Sequence, residues 1–98
     1  MTIGNGERHR VNNNDIIDQI RKYIIQNFLF DDASAMLPND ESLLRNGVVD
    51  STGVLDVVLF LEDTFDIIVA DEDVVPGNFD SVTALAAYVG SCAPAAAV

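Results

Sequence analysis

Asp50-Ser51-Thr52-Gly53 is the stretch whose residue types and position could do chemistry, because it stands where a long punctuated loop meets an apolar helical stripe. A serine at that junction has its hydroxyl at the positive end of a helix dipole, beside backbone N–H groups without intrahelical partners. Such a place stabilises a phosphate ester on the serine oxygen. The plainer reading is a helix cap, the commonest role of Asp50 or Ser51 in this position. Other chemistries fit worse. The Asp-[Ser/Thr]-Gly of aspartic proteases has one residue fewer between its Asp and Gly than Asp50 and Gly53 enclose, and the chain lacks the strand pattern of that fold. A Ser-His-Asp triad would have to draw its base from His9, the single histidine, and no Gly-x-Ser-x-Gly elbow frames Ser51. Asp71-Glu72-Asp73 begins like a calcium loop, but Pro76 and Val82 stand where an EF-hand needs glycine and glutamate. A solvated acidic surface is expected there instead. The single cysteine, Cys92, excludes an internal disulfide and a multi-cysteine zinc site, so no metal centre is expected. Nothing here assembles a catalytic set, and a chain that is not an enzyme is expected.

The charge narrows the partners. Sixteen Asp and Glu against five Lys and Arg give a net charge of −11 over 98 residues. Such a field opposes nucleic acid and anionic membrane surfaces and favours basic protein surfaces. All five bases lie in residues 1–45, whereas residues 46–98 hold nine acids and no base. Whatever docks on the second half meets negative charge. The stretch Met1 to Arg10 is polar where a signal peptide needs an apolar run, and no apolar run is long enough to span a bilayer. A cytoplasmic monomer without membrane insertion is the expectation.

The elements that position Ser51 follow from periodicity. Residues 1–14 read as a flexible N-terminal tail, 15–90 as one domain and 91–98 as a flexible C-terminal tail. Ile16, Ile17, Ile20, Ile24 and Phe28 fall at helical spacing after Asp15, a candidate cap, with Arg21 and Lys22 on the polar side. From Phe30 to Val49 the pattern breaks at Asp31-Asp32, Pro38, Asn39 and Gly47, with one helical turn expected over Glu41–Arg45 to bury Leu43 or Leu44. Val54, Val57, Val58, Leu61 and Phe65 then form one stripe, predicting a second helix with Leu61 and Phe65 in the core. Advancing about 100° per residue places Thr52, Leu55, Asp56, Leu59, Asp63 and Asp66 together on another, exposed face. Ile67-Ile68-Val69-Ala70 is expected as a buried connector, because no second strand pattern exists to pair with it. A short helix interrupted by Pro76 and Gly77 follows within Asp71–Phe79. A last helix is capped by Asp80 or Ser81, buries Val82, Leu85, Ala86 and Val89, and stops at Gly90. The expected fold is all-α: a small four-helix bundle, three main helices plus one short helix, with a long first loop.

The run from Gly47 through Asp50-Ser51 and Leu61-Glu62-Asp63-Thr64-Phe65 to Asp66, continued by Ile67 to Asp73 and Asn78 to Leu85, resembles the acyl carrier and peptidyl carrier protein family. In that family an Asp-Ser pair opens the second helix and an acidic Leu-Glu-[Glu/Asp]-x-Phe stretch follows at this distance. The similarity covers about residues 15–90. It implies that Ser51, with Asp50 beside it, is the attachment site of 4′-phosphopantetheine, delivered from coenzyme A by a phosphopantetheinyl transferase. The arm would carry an acyl or aminoacyl thioester to synthase or transferase enzymes with basic docking patches, in fatty acid, polyketide or nonribosomal peptide biosynthesis. Thr52, Leu55, Asp56, Leu59, Glu62 and Asp63 would form the docking face. Thr52 replaces the leucine that follows the serine in most fatty-acid carriers, and Ala70 stands where proline is frequent. The Asp-Ser-small-Gly form and the Asp73–Ser81 segment look more like D-alanyl and free-standing carriers loaded by a separate acyl- or aminoacyl-adenylating ligase. A helical interaction module that is never modified is the alternative from another class.

Overall fold

The computed structural model describes residues 13–92, and within them the chain is all-helical: α1 (Asn13–Phe28), α2 (Gly53–Phe65), α3 (Pro76–Phe79) and α4 (Val82–Ser91). Two 3₁₀ turns, Ala33–Ala35 and Asp71–Asp73, lie in the connections. This is the expected arrangement of three main helices and one short helix, with a long first loop. The ends differ from expectation. Asn13 and Asn14 are already helical, so Asp15 lies in the first turn of α1 rather than at its cap, and α4 continues through Gly90 to Ser91. Most of the expected tails, including Gly4, Gly6, His9 and Ala93 to Val98, lie outside the described residues.

Burial follows the predicted stripes. Ile16, Ile20 and Ile24 line one face of α1, and α4 packs along it with Val82, Leu85, Ala86 and Val89. Ser81 caps α4, its hydroxyl accepting from the Ala84 amide at 3.0 Å. From α2, Val57 and Leu61 enter the same core, and the Tyr23 and Phe60 rings stack at 4.0 Å between centroids to join α1 to α2. Phe65 is only half-buried, packed edge-on against Phe60, because the chain turns away directly after it: Asp66 takes a left-handed conformation, φ 56°. Ile67 and Val69 are buried while Ile68 is 72 % exposed, so the connector is extended and buries alternate residues. Pro76 begins α3 at its first turn rather than interrupting a longer helix, since a missing N–H costs nothing there.

The long first loop is tied down by polar groups. Arg21, expected on a solvated face, donates through Nη1 to the Leu37 carbonyl and to Asn39 Oδ1, both at 2.8 Å. Asp80 accepts from the Ser42 hydroxyl at 2.7 Å and the Leu44 amide at 2.9 Å, while its carbonyl accepts from the Leu43 amide at 2.7 Å. Thr83 donates to Asp40 Oδ1 at 2.6 Å. These ties hold Leu43 in the core; of the two leucines expected there, Leu43 is buried and Leu44 half-buried. They also deliver Val48–Asp50 to the start of α2 in one position.

Candidate functional site

Ser51 is exposed at the first position of α2's opening turn. The cap beneath it is Asp50. Its Oδ1 accepts from the Gly53 amide at 2.6 Å, and its carbonyl accepts from the Val54 amide at 3.1 Å. Thr52 already has helical dihedrals and makes no side-chain cap bond. The Ser51 hydroxyl is therefore relieved of capping and makes no hydrogen bond to another described residue. The expected group of free amides narrows accordingly. Those of Gly53, Val54 and Leu55 are taken by the Asp50 carboxylate, the Asp50 carbonyl and the Thr52 carbonyl. The helix dipole still favours an anion on Ser51, but the neighbouring Asp50 carboxylate offsets part of that effect.

Gly53 matters because of what passes over it. A Cβ at this position would stand 2.8 Å from Phe28 Cε1 and 3.2 Å from Asp50 Oδ1. The end of α1 thus sits directly on the start of α2, and a Cβ at Gly53 would require the Phe28 ring to shift. On its other side Ser51 borders an apolar cleft of about 210 Å³, lined with it by Leu44, Val54, Val74, Val75, Pro76 and Phe79. Sequence reasoning missed this cleft. It brings together the first loop, α2 and α3, segments whose juxtaposition no local pattern encodes.

The predicted face of α2 is assembled as expected. Thr52, Asp56, Asp63 and Asp66 are exposed, and Leu55 and Leu59 are 61 % and 63 % exposed. Glu62 differs from its neighbours: it is half-buried, and its Oε2 accepts from the Val69 amide at 3.0 Å, holding the connector back against α2. Beside this face a groove between α1 and α2 is lined by Tyr23, Asn27, Phe28, Asp56, Leu59, Phe60, Glu62 and Asp63. Partial burial, and then the negative charge of Asp56, raise the Tyr23 hydroxyl above its ordinary pKa. At the far side Tyr88 is half-buried and donates to Asp73 Oδ2 at 3.0 Å, so desolvation first and that hydrogen bond second push its pKa well up. Cys92 is half-buried beside Tyr88 at the end of α4 and remote in sequence from Ser51.

No protein-family model, curated protein or solved structure matches this chain. Among the described residues no cluster of three or more His, Cys, Asp or Glu is placed to hold a metal, and no buried side-chain polar atom lacks a partner. No helix among them is long and apolar enough to cross a membrane. Ser51 presents an exposed hydroxyl just ahead of α2, at the edge of an apolar cleft.

Proposed function

We propose that this chain is a carrier protein of the acyl and peptidyl carrier type, with Ser51 as the attachment point of 4′-phosphopantetheine. The observation that supports it is the division of labour at the start of α2: Asp50 performs the capping, which leaves the adjacent Ser51 exposed and uncommitted. A serine kept only as a cap would hold the bond that Asp50 holds. The residues fit the group in a second respect. An arm on an exposed hydroxyl is free to swing, and the cleft beside Ser51 gives an apolar cargo somewhere to rest.

The arm supplies a thiol that holds an acyl or aminoacyl group as a thioester; the protein's part is presentation. Asp50 fixes the first turn of α2 and so fixes where Ser Oγ projects. The ties of Arg21 and Asp80 hold the loop that leads into it. Leu55 and Leu59 offer apolar contact to a partner enzyme, and Asp56 and Asp63 steer a basic surface onto it. Tethering raises the effective concentration of the cargo at each partner's active site. The cleft, about 210 Å³ and lined mostly by apolar side chains, suits apolar groups better than charged ones. The Asp-Ser-small-Gly form of Asp50 to Gly53 is what favours loading by a stand-alone acyl- or aminoacyl-adenylating ligase. Intact mass after incubation with coenzyme A and a phosphopantetheinyl transferase tests the reading. One added phosphopantetheine on the wild-type chain and none on Ser51→Ala is the expected result; an unmodified wild-type chain points to the interaction module instead.

A further inference from the structure

Phe30 is 94 % exposed, the most exposed of the large apolar side chains in the described structure. Its backbone explains how it comes to be so. Phe30 and Asp31 both take left-handed conformations, φ 53° and 65°, and the Asp31 amide returns to the Ile25 carbonyl at 2.9 Å. This is a helix end at which glycine or asparagine is the ordinary occupant, because a Cβ in that region crowds the following carbonyl. A phenylalanine there is unfavourable twice, through its backbone and through the apolar surface it leaves in water. Among the described residues Phe30 is absent from the side chains packed on the core, so no apolar contact there offsets either cost. Phe28, two residues earlier, lies over Gly53, so the turn that carries Phe30 stands at the same end of the bundle as Ser51.

We infer that Phe30 is a docking anchor for the enzyme that acts on Ser51, an inference that rests on the carrier reading of that serine. The partner site it fits is an apolar pocket rimmed by lysine or arginine. An aromatic side chain with few rotatable bonds is the usual centre of a binding hot spot. The rim follows from the neighbours: Asp31 and Asp32 are exposed on its flank, and Asp50 is exposed beside Ser51. The same charges argue against a second copy as occupant, since a chain of net charge −11 repels its own image.

The test is the kinetics of modification of the full chain by the phosphopantetheinyl transferase of the same host, with coenzyme A saturating. Phe30→Gly removes the ring and suits the left-handed backbone, so the fold is retained; Phe30→Asn does the same with a side chain present. Both are expected to raise the KM for the carrier about tenfold or more with kcat changed less than twofold, and Phe30→Tyr to restore most of the loss. Neutralising Asp31 and Asp32 together should raise KM at low salt and lose that effect at high salt. Wild-type KM in Phe30→Gly and Phe30→Asn overturns the anchor while leaving Ser51 as the modified residue. No modification of the wild-type chain overturns the carrier reading itself, and the anchor with it.

Discussion

The Asp50 carboxylate accepts the Gly53 amide at 2.6 Å, a bond that encloses Ser51 and Thr52 without using either hydroxyl. The helix start is thereby built by one residue and presented by the next. Asp50→Ala should cost about 1 kcal/mol of stability, the usual value of a lost cap, measurable as a lower urea midpoint at unchanged slope. Modification at Ser51 should slow in the same variant, because the hydroxyl is no longer held at a fixed turn.

Ser51→Ala should behave in the opposite way. As the cap is Asp50, the variant should unfold within about 0.5 kcal/mol of wild type while losing attachment of the arm altogether. Thermal melts and intact mass on the same sample check both halves. A large loss of stability would return the capping role to Ser51.

Gly53 and Phe28 should be energetically coupled. Alanine is favoured over glycine in a helix by up to about 1 kcal/mol, but a Cβ at Gly53 meets Phe28 Cε1 at 2.8 Å. Gly53→Ala should therefore destabilise the wild-type chain and stabilise Phe28→Ala. A double-mutant cycle with a coupling of about 1 kcal/mol or more is expected, and additive effects would show that the contact relaxes freely.

The helices and their buried faces were legible because period and core coincide in α1, α2 and α4. Ile20, Leu61 and Leu85 all lie where the apolar stripes place them. Phe65 misled, since its place in the stripe of α2 says nothing of the left-handed turn at Asp66 that leaves it at the edge of the core. Leu61→Ala should thus cost about 2–5 kcal/mol and Phe65→Ala distinctly less, reversing their order by size. The first loop was illegible for a different reason. Its order comes from Arg21, Asp80 and Thr83, polar residues at separations of 16 to 43 along the chain, and a hydropathy pattern carries no record of such partners. The place of Ser51 at a helix start was legible in the sequence, whereas the cleft beside it depends on Val74 to Phe79 folding back, which no spacing announces.

Tyr88 ties α4 to the 3₁₀ turn through Asp73, and its pKa is raised above the ordinary 10.0 by desolvation and then by that hydrogen bond. A raised value in the folded state means that folding favours the protonated phenol. Its contribution is fully present below pH 10 and is lost as pH rises past that value toward the folded pKa. Tyr23, raised by burial and by Asp56, adds to the same loss. Stability by urea unfolding should accordingly begin to fall as pH rises past about 10, the ordinary tyrosine value, and keep falling as pH climbs toward the raised folded pKa. Tyr88→Phe should flatten part of that fall and cost about 1 kcal/mol at neutral pH for the missing hydrogen bond. An unchanged alkaline slope in Tyr88→Phe would place the titration elsewhere.

On the proposed docking face of α2, charge and apolar area make separable predictions. Asp56 and Asp63 are exposed, so each alone is worth less than about 1 kcal/mol to a docked complex, and neutralising one should change affinity little. Reversing both to lysine should slow modification by a phosphopantetheinyl transferase mainly through the association rate, because the local field then repels a basic surface. That deficit should shrink as salt is raised past about 0.15 M, where the Debye length falls to about 8 Å. Leu55 is 61 % exposed, and its contribution to the proposed interface would be apolar area, which salt does not screen. Leu55→Ala should therefore weaken docking equally at every salt concentration. Glu62 supplies the internal control: its carboxylate holds the Val69 amide, so Glu62→Ala, which removes the acceptor, should disturb the connector and lower stability, while Glu62→Gln, which keeps an accepting oxygen, should largely spare both. Rates for the reversal, Leu55→Ala and Glu62→Ala across one salt series, with urea unfolding of the last, distinguish the three roles. Unchanged rates for both the reversal and Leu55→Ala would move the interface away from α2, toward the first loop around Arg45.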